Sequence, residues 1–443
     1  MSATSEARPQ MTVDLVDQPR LTIFRACGYL LFFAMLFAPT TYQPAKFVLL
    51  LICLIAIVNA KPSIRIKRGF VGATVLLSSI GALEIIYGTI RGNEGAYPQL
   101  TVWVLWPLVY LLLASAIYTE QHIRSIFRVM VVAANAIGAY GCLYMLTLTG
   151  HIPKGFYFDG IDLGQGLLFE GGVLRVSLHS FSSLLFLVPF LIALAITWPR
   201  DRPRVVTSWW IYLAIVLNVA LVVLSGRRAL LLVFALTPIV LIIAIFALTP
   251  ISRGVVTRVS RARLARFVLP GLAVCAASIL SVKALHINVG ATITALTTGF
   301  KAAGDDARRV QFTSLIDGWL DHPTFGAGLG AVANGPIRSI ETPWAYELSY
   351  VALLFDVGIV GVLIYAAALG NIVRRTVAVA RTTAELRPWA IPVLVGMTSF
   401  LIANATNPYL LKFDSMWVLF LPVALLNVYA IRQENVNSPQ NVG

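Results

Sequence analysis

Apolar runs long enough to cross a bilayer recur from one end of this chain to the other, and few folds can accept that pattern. A water-soluble domain could not cover so many continuous apolar segments, and a transmembrane barrel would alternate apolar and polar residues in short strands. The runs therefore predict an all-α, polytopic membrane protein. We place about twelve spans, near residues 22–38, 45–60, 70–90, 99–118, 126–149, 173–197, 208–225, 229–249, 267–285, 344–370, 388–405 and 412–431. The composition agrees: 58% of the 443 residues are hydrophobic and only 12% charged, with a mean hydropathy of +0.81.

The organisation that follows is a cytoplasmic tail over residues 1–21, nine spans within 22–285, a large extracytoplasmic loop over 286–343, three spans within 344–431, and a tail over 432–443. The polar N-terminal tail shows no small-residue cleavage pattern, so the first apolar run reads as a retained span. The net charge of +14 would suit nucleic acid, but the cations lie in short loops between spans. Of 34 Lys and Arg, 22 fall in one set of alternate loops and the termini. That imbalance predicts cytoplasmic termini and no nucleic-acid partner. Cysteines 27, 53, 142 and 275 lie in or at the ends of apolar runs without metal-ligand spacing, and read as small buried hydrophobes.

Two segments on the opposite side are long for loops, about 150–172 and 286–343, and long loops tend to carry function. Residues 308–322 predict an amphipathic helix with Val310, Leu315, Ile316, Trp319 and Leu320 on its apolar face, ended by Pro323 and the turn "FGAGLG".

Topology gathers ionisable side chains on this outward side. Arg175 stands at the start of the sixth span, Arg227 and Arg228 sit between the seventh and eighth, and Arg308 and Arg309 follow "AGDDA". Arg338, Glu341, Glu347 and Tyr350 come before or just inside the tenth span. Arginine offers a rigid fork of donors suited to phosphate oxygens and keeps its charge when partly buried. Such a cluster suits an anionic lipid-linked group, above all a diphosphate. Each residue also has a plainer role open to it. Arg227 and Arg228 could be solvated turn residues, Arg175 an interfacial anchor, Arg308 or Arg309 a partner of Asp305 or Asp306, and Glu347 a helix-start acid. Glu84, inside the third span, is expected to be a buried hydrogen-bond partner. The histidines form no close pair, so no metal site is expected.

Four segments, in order, carry a resemblance: "GVLRVSLHSFSSLL" at 172–185, "LSGRRALLLVF" at 224–234, "ARRVQFTSLIDGWLDHPTFGAGLG" at 307–330 and "ELSYVALLFDVGIVGVLIY" at 347–365. Together they resemble the bacterial superfamily of O-antigen ligases and of O-antigen or exopolysaccharide polymerases, over roughly residues 20–430. The resemblance implies a fold like that of the GT-C membrane glycosyltransferases in the bacterial inner membrane, with its active site facing the periplasm. It implies an undecaprenyl-diphosphate-linked glycan donor, a lipid-linked glycan acceptor, no cofactor, and a flippase and a chain-length regulator as pathway partners. Arg227 matches the family's functional arginine. Glu347 stands where ligases carry a histidine, and Leu348 where they carry an asparagine, which turns the expectation toward a polymerase. On this reading Arg227 and Glu347 are catalytic, and Arg175, Arg228, Arg308, Arg309, Arg338, Glu341 and Tyr350 bind substrate. An O-antigen ligase acting on a lipid A core or other acceptor is the nearer alternative. A transporter or flippase is the alternative of another class, and would require ionisable groups deeper in the membrane.

Overall fold

The computed structural model describes residues 19–59, 65–148, 150–153, 163–164, 166–170, 173–199, 202–225, 227–249, 303–335 and 340–437. The expected ninth span at 267–285, both chain ends and Arg338 lie outside these residues. The described part is mostly helical, as expected, with one small β-hairpin. The helices are α1 Pro19–Phe37, α2 Gln43–Asn59, α3 Arg68–Ile90, α4 Trp106–Ser115, α5 Glu120–Leu148, α6 Phe181–Thr197 and α7 Ser208–Ser225. They continue with α8 Arg228–Leu248, α9 Ala303–Asp321, α10 Ser349–Thr382, α11 Arg387–Asn404 and α12 Phe413–Asn437. Among the described residues, six helical segments are long and apolar enough to cross a membrane: Arg68–Ile90, Tyr97–Ser115, Glu120–Leu148, Arg228–Leu248, Ser349–Thr382 and Phe413–Glu434. Shorter apolar helices cover Arg25–Phe37, Gln43–Asn59, Phe181–Thr197 and Ser208–Val223. A helix satisfies its own backbone donors and acceptors, which is why apolar sequence of this kind takes that form.

Two expected boundaries move, and one expected span opens irregularly. The sixth span does not begin at 173: Gly166–Glu170 (β1) and Val173–Ser177 (β2) pair antiparallel, and α6 starts only at Phe181. The fourth opens through a π-helical turn, Thr101–Leu105, before α4. The tenth begins at Ser349 and runs to Thr382, with Gly358 breaking it at φ 63°.

The core forms around α5, α6, α11 and α12. Phe127, Phe186 and Phe190 are fully buried, and their rings meet one another and the indoles of Trp389 and Trp417 at centroid separations of 4.7–5.8 Å. Gly138 and Gly141 on α5 face Leu217 and Leu221 on α7, and any side chain there would collide with them. Small residues of this kind let helix backbones approach where packing, rather than transfer from water, drives association.

The loops collect at two ends. At one end the basic turns are tied together: Arg124 donates to the Pro203 carbonyl, Arg128 to that of Val205 and Arg202 to that of Glu385, while Arg432 pairs with Glu385. The opposite end carries the α1–α2 turn, the hairpin, Arg227, residues 323–335 and 340–348, and the turn after α11. It is organised by a buried ion pair that the sequence reading did not single out. Lys46 Nζ lies 2.8 Å from Asp414 Oδ1, both side chains being 2% exposed, and also donates to the Ala38 carbonyl. The second Asp414 oxygen accepts from the Thr40 backbone N–H and from Gln43 Nε2. Those bonds hold Thr40 (φ 68°) and Tyr42 (φ 54°) in the left-handed region that non-glycine residues rarely adopt.

Candidate functional site

Arg227 is the N-cap residue of α8. Its backbone is extended there (φ −75°, ψ 113°) and its carbonyl accepts the first helical bond, from Leu231 N–H at 3.1 Å. Its own N–H donates to Ser225 Oγ. The side chain is thus free of capping duty and reaches back to the hairpin. Nη2 donates to Ser177 Oγ at 2.7 Å, and the guanidinium carbon stands 5.5 Å from the centre of the Phe181 ring. Burial pushes this guanidinium below its ordinary value, and the electrostatic effect of Tyr409 opposes that shift. An arginine has so high an ordinary value that it stays charged regardless. The result is a partly desolvated, oriented cation whose fork has donors beyond the one used by Ser177. A solvated turn does not describe it.

The second group forms where α9 meets the start of α10. Arg308 Nε donates to Glu347 Oε2 at 2.8 Å across 39 residues of sequence. The acid is held as well by its backbone. Gln311, 7% exposed, accepts through Oε1 from the N–H groups of Glu347 at 3.0 Å and Leu348 at 3.3 Å. A glutamine on α9 therefore fixes the residues before the first turn of α10, whose N-cap is Leu348.

The apolar face of α9 also differs from expectation. Leu315 is fully buried, but Val310 and Leu320 are 51% and 59% exposed. The inward face runs through Gln311, Leu315 and Gly318, at helical spacing, and Gly318 lies against the Phe355 ring. Packing on α10, with the glycine giving clearance, selects this face over the more hydrophobic one.

Tyr350 connects the two groups. Its hydroxyl donates to the Leu401 carbonyl at 2.6 Å, at the end of α11. Its side chain also hydrogen-bonds with that of Asn404. Asn404 Oδ1 also accepts from Leu410 N–H, which closes the turn that carries Tyr409 toward Arg227. Thr40 Oγ1 lies 3.2 Å from His179 Nδ1, so the α1–α2 turn borders the hairpin side of the same region.

Four of the remaining expected residues stand around this rim. Arg228 is half-buried as the first residue of α8. Arg309 is exposed on α9, and Glu341 is exposed before α10. Arg175 lies on β2 with its backbone opposite Leu168. Arg338 falls outside the described residues. Arg308 takes Glu347 as a partner; the side chains of Asp305 and Asp306 are not described.

Sequence reasoning missed Ser177, Gln311, Lys46 and Asp414. The last two had a signal, since a lysine and an aspartate inside apolar runs need a partner. The first two had none, because a serine on a strand and a glutamine on a helix gain their roles from what packs opposite.

No family model matches the chain, and no curated protein is similar enough to count as a relative. Fold and site thus define a helical protein with several helices suited to crossing a membrane and a rim of arginine, tyrosine and glutamate at one end.

Proposed function

We propose that the chain is a polysaccharide polymerase of the bacterial inner membrane. It would transfer a glycan from undecaprenyl diphosphate to a sugar hydroxyl of a second lipid-linked repeat. On this reading there are twelve spans in a GT-C-like arrangement, both termini are cytoplasmic, and the Arg227 end faces the periplasm. The observation that carries the reading is the pairing of Glu347 with Arg308, on a rim that Tyr350 and the Asn404–Tyr409 turn share with the desolvated Arg227.

In the reaction, the acceptor hydroxyl oxygen attacks the donor's anomeric carbon as the bond from that carbon to the diphosphate oxygen breaks. The bonding pair leaves with undecaprenyl diphosphate, and the hydroxyl proton passes to Glu347 as general base. Negative charge grows on the leaving diphosphate, where the oriented Arg227 donors stabilise it. Arg308 gives the donor a second handle. As the diphosphate engages Arg308, the Glu347 oxygen that it holds becomes available to the acceptor. Arginines supply this stabilisation without a divalent metal.

The test is conversion of undecaprenyl-diphosphate repeats into longer glycans by reconstituted protein, with folded yield measured for each variant. Arg227→Ala should lower turnover about a hundredfold, the usual value of one oriented transition-state donor. Arg227→Lys should recover little, because it keeps charge and loses the fork. Glu347→Gln should be nearly as inactive as Glu347→Ala, and a chelator should leave wild-type turnover unchanged. Normal polymerisation by folded Glu347→Gln would remove the general-base role. Transfer to a lipid A core in place of chain growth would make the protein a ligase.

A further inference from the structure

Where α3 meets the break in α10, three buried oxygens have no hydrogen-bond partner: Glu84 Oε2, Asp356 Oδ1 and the Tyr365 hydroxyl. Asp356 is 7% exposed, and Glu84 acts electrostatically on both Asp356 and Tyr365. The three groups therefore share one region. Its surroundings are apolar: Ile85, Leu329 and Val357 are buried there, with Trp103, Leu353 and Val362 against them.

The break explains why Asp356 is turned to this place. Beyond Gly358 the ordinary helical pairing fails, and the 323–328 segment replaces it. Ala327 and Gly328 N–H donate to the Phe355 and Asp356 carbonyls, while Ile359 and Val360 N–H donate to the Pro323 and Thr324 carbonyls. The backbone at the break is thus satisfied, and the Asp356 carboxyl is what remains unmatched. Around it, Tyr346 uses its hydroxyl on Ala331 and Ala333, Arg91 is engaged by Tyr87 and His322, and Glu94 is exposed. Among the described residues no lysine or arginine pairs with either acid.

Two carboxylates in apolar surroundings without a cation would cost several kcal/mol each, and unsatisfied buried oxygens in a native fold call for an occupant. Carboxylate and phenol oxygens are hard ligands that favour a proton or a small hard cation. We propose that Glu84, Asp356 and Tyr365 form a cation site inside the helix bundle that takes up a proton or a sodium ion. Since Asp356 belongs to the joint between α10 and the 323–328 segment, occupancy of this site and the seating of that segment are coupled. The inference does not depend on the polymerase reading.

The experiment uses the full chain in detergent. A hydrophobic carbodiimide adds to neutral buried carboxylic acids, and mass spectrometry of peptides locates the adduct. Labelling is expected at Glu84 or Asp356, with loss as the pH is raised. Protection by sodium chloride but not choline chloride would assign sodium, and equal labelling in both salts would assign the proton. In parallel, the wild-type unfolding temperature should shift with pH or sodium, and the double variant Glu84→Gln/Asp356→Asn should lose that shift. Should the double variant fail to fold, the single variants Glu84→Gln and Asp356→Asn serve in its place. Absence of label on both acids, together with identical pH and sodium responses of wild type and variants, would overturn the proposal.

Discussion

At the scale of single residues, Arg227 and Glu347 are held in different ways, and the difference can be measured. Ser177 is the side-chain acceptor that aims the Arg227 fork, at 2.7 Å. A hydrogen bond to a charged group is worth about 1.5–3 kcal/mol. In the proposed reaction Ser177→Ala should therefore lower turnover about ten- to a hundredfold while the protein stays folded, because the guanidinium keeps its charge and its place over Phe181. Gln311 affects the acid end through the backbone alone. Gln311→Leu leaves the Glu347 and Leu348 N–H groups without their acceptor, and should destabilise the start of α10 by about 1–2 kcal/mol. Its signature is a lower unfolding temperature that a change at Arg308, such as Arg308→Lys, does not rescue. If Ser177→Ala matches wild type in turnover, the aiming role of the hairpin is lost.

At the scale of elements, residues 323–335 form a strap seated against the break in α10. Gly358 at φ 63° opens α10 to it, and a side chain there would run into the Thr324 carbonyl. Gly358→Ala should cost about 2 kcal/mol or more, from the left-handed backbone and the collision together, read as a fall in unfolding temperature. Asn93 completes the seat by donating to the carbonyls of Ala327, Gly328 and Leu329. The strap's far end is tied by Tyr346, whose phenol burial pushes up to about 12 from an ordinary value near 10. Since the unfolded phenol loses its proton first, Tyr346 stabilises the fold fully below about pH 10. That contribution disappears as pH rises toward about 12, and amounts to about 2–3 kcal/mol. Tyr346→Phe should start less stable at neutral pH and lose less over this alkaline window. Chemical denaturation on both sides of it reads the difference. These joints were only partly legible in sequence. "PTFGAGLG" announced a turn through its glycines, and α9 was visible by length, but not the face it buries. The partner of a backbone N–H in a broken helix is fixed by tertiary contact, and periodicity carries no record of it.

At the scale of the whole molecule, the pattern of apolar runs was the most legible feature, because a spanning helix must satisfy its backbone within one continuous segment. The Lys46–Asp414 bridge was not, since its partners lie far apart in the chain, and the β-hairpin before α6 was not, since its second strand continues into the apolar run of α6 and reads as part of that span. The same charge count that divides the loops makes a statement about orientation that the fold alone does not make. The basic turns around Arg124, Arg202 and Glu385 meet at one end, and the Arg227 rim lies at the other. If the lysine and arginine imbalance sets insertion, the first end is cytoplasmic and the rim is periplasmic. A single cysteine placed at exposed Thr313 on α9 reports on the rim side, and one at exposed Arg204 reports on the basic end. The native cysteines at 27, 53, 142 and 275 are first replaced. A membrane-impermeant maleimide applied to intact cells with a permeabilised outer membrane should label Thr313→Cys and spare Arg204→Cys until the inner membrane is lysed. The reverse pattern would place Arg227 and Glu347 in the cytoplasm. Undecaprenyl-diphosphate repeats presented on the periplasmic face would then be out of their reach, and the polymerase reading would fall even if both residues proved essential.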